Sequence, residues 1–135
     1  MKKLLILILL GFLLIMCDRN DKDKIPQNEG YIVGFDPCSY QHNYKLGYAI
    51  ITTDLKDTLM TYNLPDSIFI FPSEYFYNYF NSGYFPSKAR YEFKIKFTYT
   101  IANKDQQVYN LCTTDINASD FNNSVQVIIT SVTKY

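Results

Sequence analysis

Tryptophan is absent from the 135-residue chain, histidine occurs once, and the charges cancel, 13 Lys+Arg against 13 Asp+Glu. Each shortage excludes something. Zero net charge gives no counterion-release drive toward a polyphosphate, so a nucleic-acid partner is not expected. The five glycines stand alone at Gly11, Gly30, Gly34, Gly47 and Gly83, so no glycine-rich loop cradles a phosphate. Gly30 and Gly34 are read instead as positions that ease twist or let another backbone pass close. His42 lies between Tyr40 and Tyr44 with no hydroxyl or thiol fixed beside it, which leaves a nucleophile-and-base pair without support. Asp36, Asp54, Asp57 and Asp66 occur singly on polar stretches. They are read as solvated turn residues rather than an acid and base pair. The expectation is therefore a non-enzyme, with no catalytic residues, no cofactor and no metal.

The N-terminus is rich in what the rest lacks. Lys2 and Lys3 precede an uninterrupted apolar run from Leu4 to Met16, LLILILLGFLLIM. At 1.5 Å per residue it covers roughly 20 Å of a hydrocarbon layer about 30 Å thick, so it fits the h-region of a secretory signal better than a permanent span.

The run stops at Cys17, followed at once by DRNDKDK. Leu14-Ile15-Met16-Cys17 resembles the cleavage site of bacterial lipoprotein signals, with Met16 where that family has Gly, Ala or Ser. The resemblance implies that residues 1–16 are removed and that Cys17 becomes the lipidated first residue, carrying three acyl chains, palmitate among them. Two such signals already suffice for stable anchoring in a bilayer, since each buried methylene contributes about 0.8 kcal/mol. Loss of Lys2 and Lys3 leaves acidic residues in slight excess, so the acyl chains rather than the protein's charge would hold it to anionic lipid. Residues 17–29 read as the lipidated cysteine and a polar tether with a mean reach of roughly 20 Å. Asp18, Asp21 and Asp23 resemble the export signals of Bacteroidetes surface lipoproteins. The implied address is the bacterial cell envelope at the outer membrane, with the periplasmic or surface face left open.

Outside the cytoplasm the remaining cysteines, Cys38 and Cys112, read as a disulfide. The alternative is a metal site of Cys38, His42, Cys112 and Asp115, although zinc sites usually bring two closely spaced pairs.

Residues 30–135 read as one all-β domain. In Tyr91-Glu92-Phe93-Lys94-Ile95-Lys96-Phe97-Thr98-Tyr99-Thr100-Ile101, period two puts six large apolar or aromatic side chains on one face, the mark of a half-buried antiparallel strand. Tyr31–Phe35, Leu46–Thr53, Thr58–Tyr62, Val108–Cys112 and Val125–Thr133 are further strand candidates. Asp54-Leu55-Lys56-Asp57 reads as a hairpin turn. Ser73 to Asn81 reads as a short helix, with Ser73 placed to cap it after Pro72. This order resembles an oligonucleotide/oligosaccharide-binding barrel of about five strands, with a strand or loop near Val108; a β-sandwich is the alternative.

Tyr75, Tyr77, Asn78, Tyr79 and Tyr84, with Phe85 and Asn81, concentrate rings beside amides that could stack on a sugar or peptide. The plainer expectation is that most of these rings fill the barrel. Asp57-Thr58-Leu59 and Asp66-Ser67-Ile68 resemble Bacteroidetes O-glycosylation acceptors, which would make Thr58 and Ser67 attachment points. Asn117 and Asn122 begin N-x-Ser triplets, unused in the implied bacterial host. The signal, Cys17, the tether and the β body opening with GYIVGFDPCS together resemble small envelope lipoproteins of Bacteroidetes, a likeness that carries no assigned activity. The expected role is a non-enzymatic, membrane-anchored binding or scaffolding protein with a glycan or envelope protein as partner; the alternative is carbohydrate binding by residues 75–85.

Overall fold

The computed structural model describes residues 27–41, 45–77, 83–112, 121 and 123–135. The elements are β1 (Asn28–Phe35), α1 (Pro37–Gln41), β2 (Tyr48–Thr52), β3 (Thr58–Thr61), a 3-10 helix (Ser73–Phe76), β4 (Lys94–Ile101) and β5 (Val125–Lys134). The strands form a closed barrel in the order β1-β2-β3-β5-β4, with β4 returning to β1. Neighbours are antiparallel except β3 and β5, which run parallel. The fold is thus the small barrel of oligonucleotide/oligosaccharide-binding topology, not a sandwich.

β4 shows how the sequence builds the wall. Phe93, Ile95 and Phe97 are buried while Lys94, Lys96 and Thr98 face outward. The alternation does not run the full length expected of it: Tyr91 is 58% and Ile101 69% exposed. The strand begins at Lys94, and its register against β5 shifts between Thr98 and Tyr99. Such a bulge re-aims the side chains beyond it. The hairpin turn stands as read. Thr52 N–H donates to the Asp57 carbonyl at 3.1 Å, Thr52 Oγ1 donates to Asp54 Oδ1 at 2.6 Å, and Leu55 takes a positive φ of 58°.

Ile32, Phe35, Ile50, Leu59, Ile95, Phe97, Val127 and Ile129 form the interior. The β3–β4 connection supplies much of the rest of that core. Phe85, 1% exposed, meets the rings of Phe35, Phe71, Tyr75, Phe76 and Phe93 at centroid distances of 5.3 to 6.2 Å. Edge-to-face and tilted contacts of this kind add to what area burial supplies. The expected helix at 73–81 is a single 3-10 turn ending at Phe76, and Pro72 rather than Ser73 occupies its N-cap, with no side-chain cap bond. Asn78, Tyr79 and Asn81 lie outside the described residues.

A second cluster, Val33, Ala49, Met60 and Phe121, lies apart from the interior set, with Tyr31, Ile51 and Tyr84 packed against it. On β1, β2 and β3 its members alternate with the interior residues Ile32, Ile50 and Leu59, which places it on the outer face of the sheet. Residues 83–85 bind the edge of β1 beyond its pairing with β4: Phe35 N–H donates to the Gly83 carbonyl and Phe85 N–H to the Val33 carbonyl, both at 2.8 Å. Gly34 makes this approach feasible, because a Cβ on it would sit 2.9 Å from the Tyr84 Cα and closer still to the Gly83 carbonyl oxygen. Gly34→Ala is therefore expected to destabilise the protein by about 1–3 kcal/mol, as overpacking against backbone does. Urea unfolding checks it through a lowered midpoint at unchanged slope.

Candidate functional site

The β1–β2 connection begins with Asp36-Pro37. Asp36 Oδ1 accepts the Cys38 N–H at 2.9 Å and so caps α1, while Pro37 takes the first helical position, where no N–H is needed. Ser39 fixes the other side, donating from Oγ to the Asp36 carbonyl at 2.7 Å and accepting the Gly47 N–H at 3.0 Å. Asp36 was expected to be a solvated turn residue. It is 7% exposed, and its Oδ2 accepts from Tyr62 Oη at 2.9 Å and Asn110 Nδ2 at 2.7 Å. A carboxylate tolerates burial when such donors replace its water.

Asn110 belongs to the β4–β5 connection, and so does Cys112, which is disulfide-bonded to Cys38 with Cα atoms 4.9 Å apart. The bond excludes these sulfurs as the metal ligands weighed above; His42 and Asp115 lie outside the described residues. Closing so long a loop removes unfolded-chain entropy, about 4–5 kcal/mol on the chain-entropy account. Disulfide and Asp36–Asn110 bond thus tie the β4–β5 connection to the β1–β2 connection at adjacent positions.

Val108–Cys112, expected as a strand, joins no ladder. A side chain replaces the missing neighbour: Gln126 accepts the Val108 N–H and donates to the Val108 carbonyl, both at 2.8 Å. Asn63 does the same across the β3–β5 seam, accepting the Ile129 N–H at 2.9 Å and donating to the Ile129 carbonyl at 2.8 Å. Two hollows open beside these amides. One, about 130 Å³, lies among Asp36, Met60, Tyr62, Phe121 and Gln126. The other, about 400 Å³, lies between residues 102–110, the start of β5 and the end of β3, and shares Tyr62, Val108, Asn110 and Gln126 with the first.

The aromatic residues read from the sequence as ligand-binding are spread over different surroundings. Tyr75 packs on Phe85 and Phe93, and its hydroxyl donates to Glu92. Tyr84 packs on Phe121, with the Arg90 guanidinium 4.6 Å from its ring centre. Tyr77 is 70% exposed. Asn78 and Tyr79 lie outside the described residues. Sequence reading did not single out Tyr62, Asn63, Asn110 or Gln126. Of the groups around the hollows only Asp36 carried a local signal, an Asp-Pro pair at a helix start.

The chain matches no family model, no curated protein and no solved structure.

Two phenols, of Tyr48 at the start of β2 and of Tyr62 just after β3, are shifted. Burial raises Tyr62 far above the usual tyrosine range, with the charge of Asp36 and its hydrogen bond adding to the effect. Burial, then the charge of Asp66, pushes Tyr48 up to about 12. The folded chain holds both protons where the unfolded chain, at about 10, releases them. Their contribution is therefore intact below about pH 10 and is lost as pH rises toward 12 and beyond. Urea midpoints measured across that interval should fall, and less steeply in Tyr48→Phe than in the parent.

Proposed function

We propose that the chain is a non-enzymatic lipoprotein of a bacterial envelope, anchored at the outer membrane through acyl chains on Cys17 and presenting its barrel as a binding or scaffolding module. The observation that carries this reading is the Cys38–Cys112 disulfide. Structural disulfides form and persist in oxidising compartments, and this one agrees with the export signal read from LLILILLGFLLIM and Cys17. The start of β1 at Asn28 leaves a short polar stretch of sequence after Cys17, which would keep the barrel near the bilayer. Asp36 supports the non-enzymatic part: its two oxygens are taken up by Cys38, Tyr62 and Asn110 within the fold. Of the two glycosylation candidates, Ser67 lies exposed on the turn closed by the Ile68 N–H to Pro65 carbonyl bond, whereas Thr58 opens β3 half-buried. Ser67 is the better acceptor on accessibility.

Peptide mass spectrometry of the membrane fraction tests the proposal. The expected digest contains an N-terminal peptide beginning at acylated Cys17 and a linked pair holding Cys38 and Cys112 without reductant. A chain still carrying residues 1–16 in the soluble fraction, with both thiols free, overturns it.

A further inference from the structure

β3 and β5 pair at only two positions, Leu59 with Val125 and Met60 with Gln126. The next link between them is the Asn63 side chain on Ile129. Beside this gap opens the hollow of about 400 Å³, with Val108, Val127 and Ile128 supplying apolar lining. That volume lies at the small end of the roughly 300–1,000 Å³ of ligand pockets.

Its polar lining is nearly neutral. Lys45, Tyr62, Asn63, Gln106, Asn110 and Gln126 contribute one ammonium, one phenol and four amides, and no carboxylate among the described residues; both ends of the Asn63 amide are taken up by Ile129. Much of this hydrogen-bonding capacity serves the fold, and what remains defines the ligand. Gln106 Oε1 accepts the Asn103 N–H at 3.0 Å, leaving its amide nitrogen. Asn110 commits its nitrogen to Asp36, leaving its carbonyl oxygen. Gln126 retains one N–H after its two bonds to Val108. Donors and an acceptor thus flank an aliphatic surface. A cation meets no acid there, and an anion meets a single lysine with the Asp36 carboxylate behind Asn110. A neutral molecule with adjacent hydroxyls on one edge and C–H groups on a face satisfies both kinds of lining.

We infer that this hollow is a binding site for a neutral saccharide of one or two rings, with Lys45 and Gln106 donating to hydroxyls, Asn110 accepting from one, and Val127 and Ile128 meeting the C–H face. The inference deepens the binding role proposed above and takes that role as given. It moves the saccharide away from the aromatic segment at 75–85, where Tyr75, Phe76, Tyr84 and Phe85 serve as packing.

The test is titration of the full mature protein in a sugar-free detergent, followed by calorimetry and saturation-transfer NMR. The probes are glucose, galactose, mannose, N-acetylglucosamine and maltose, with sodium acetate and trialanine as anionic and peptide comparisons. At least one saccharide should bind with a Kd of about 1 mM or tighter. Lys45→Leu and Gln106→Leu should each weaken it at least about fivefold at unchanged melting temperature, whereas Tyr77→Ala should leave it unchanged. No saccharide binding at about 10 mM overturns the inference. So does binding indifferent to Lys45→Leu and Gln106→Leu, binding abolished by Tyr77→Ala, or preference for acetate or trialanine. Acylation of Cys17 is read independently, so an empty site leaves the anchoring proposal standing and a soluble chain leaves the saccharide result standing.

Discussion

The barrel depends on its weakest seam. Four of its five strand contacts are antiparallel ladders of four or more paired positions, but the circle closes through two parallel pairs between β3 and β5. So short a ladder leaves backbone groups without strand partners, and buried groups of that kind cost as much as a lost hydrogen bond. Asn63 answers this cost at Ile129 of β5, and Gln126 does the same for Val108 in the β4–β5 connection. A primary amide carries a donor and an acceptor side by side, so each mimics one residue of a neighbouring strand: Asn63 for Ile129, Gln126 for Val108. The disulfide and the Asp36–Asn110 bond then hold the β4–β5 connection where the Gln126 contact needs it. Remove the tie at Cys112 and, among the described residues, the segment that covers the seam keeps the Ala102 N–H to Gln126 carbonyl bond and the side-chain amides of Asn110 and Gln126.

The second demand is filling. Interior positions on five short strands leave volume to be closed by other parts of the chain, and here the β3–β4 connection does so with Phe69, Phe71, Tyr75, Phe76, Phe85 and Phe93. Aromatic rings suit the task because each buries a large area with few rotatable bonds to freeze. Neighbouring residues then face different clusters: Phe85 enters the interior while Tyr84 joins the outer cluster with Phe121. A run of rings in sequence therefore need not form one surface in space.

This accounts for what the sequence made legible. The alternation of Phe93 to Phe97 announced β4, and Asp54 to Asp57 announced the β2–β3 hairpin, because both signals are local and no distant partner overrides them. The pairing of Cys38 with Cys112 followed from reading the N-terminus as an export signal and from an even count. Val108–Cys112 looked like a strand for sound reasons of β propensity, but a strand also needs a free neighbouring edge, and at Val108 a glutamine side chain stands in its place. Ser73 looked like a cap, yet Pro72 holds that position and the turn stops after Phe76. Asp36 looked solvated because aspartates in loops usually are. Its burial is decided by Tyr62 and Asn110, which lie 26 and 74 residues away, beyond any local pattern. The hollow at the seam was illegible for the same reason, being lined from four separate stretches of chain.

Position and chemistry at the seam have a common origin. A fully paired β3–β5 ladder would bring the strands together to their ordinary spacing of about 4.7–4.9 Å and fill the gap with backbone. Parting them after Met60 and Gln126 leaves room for the hollow, and Asn63, the amide that satisfies the parted β5 at Ile129, lines it together with Gln126. One Asn–backbone bridge and one Gln–backbone bridge thus stabilise the barrel and set the character of the cavity, amide-rich at its polar edge and aliphatic within. The buried charge of Asp36 stays out of it because Tyr62 and Asn110 stand between, both bound to the carboxylate and both forming part of the wall. The same bonds that make Asp36 tolerable to the core therefore keep the hollow free of exposed negative charge.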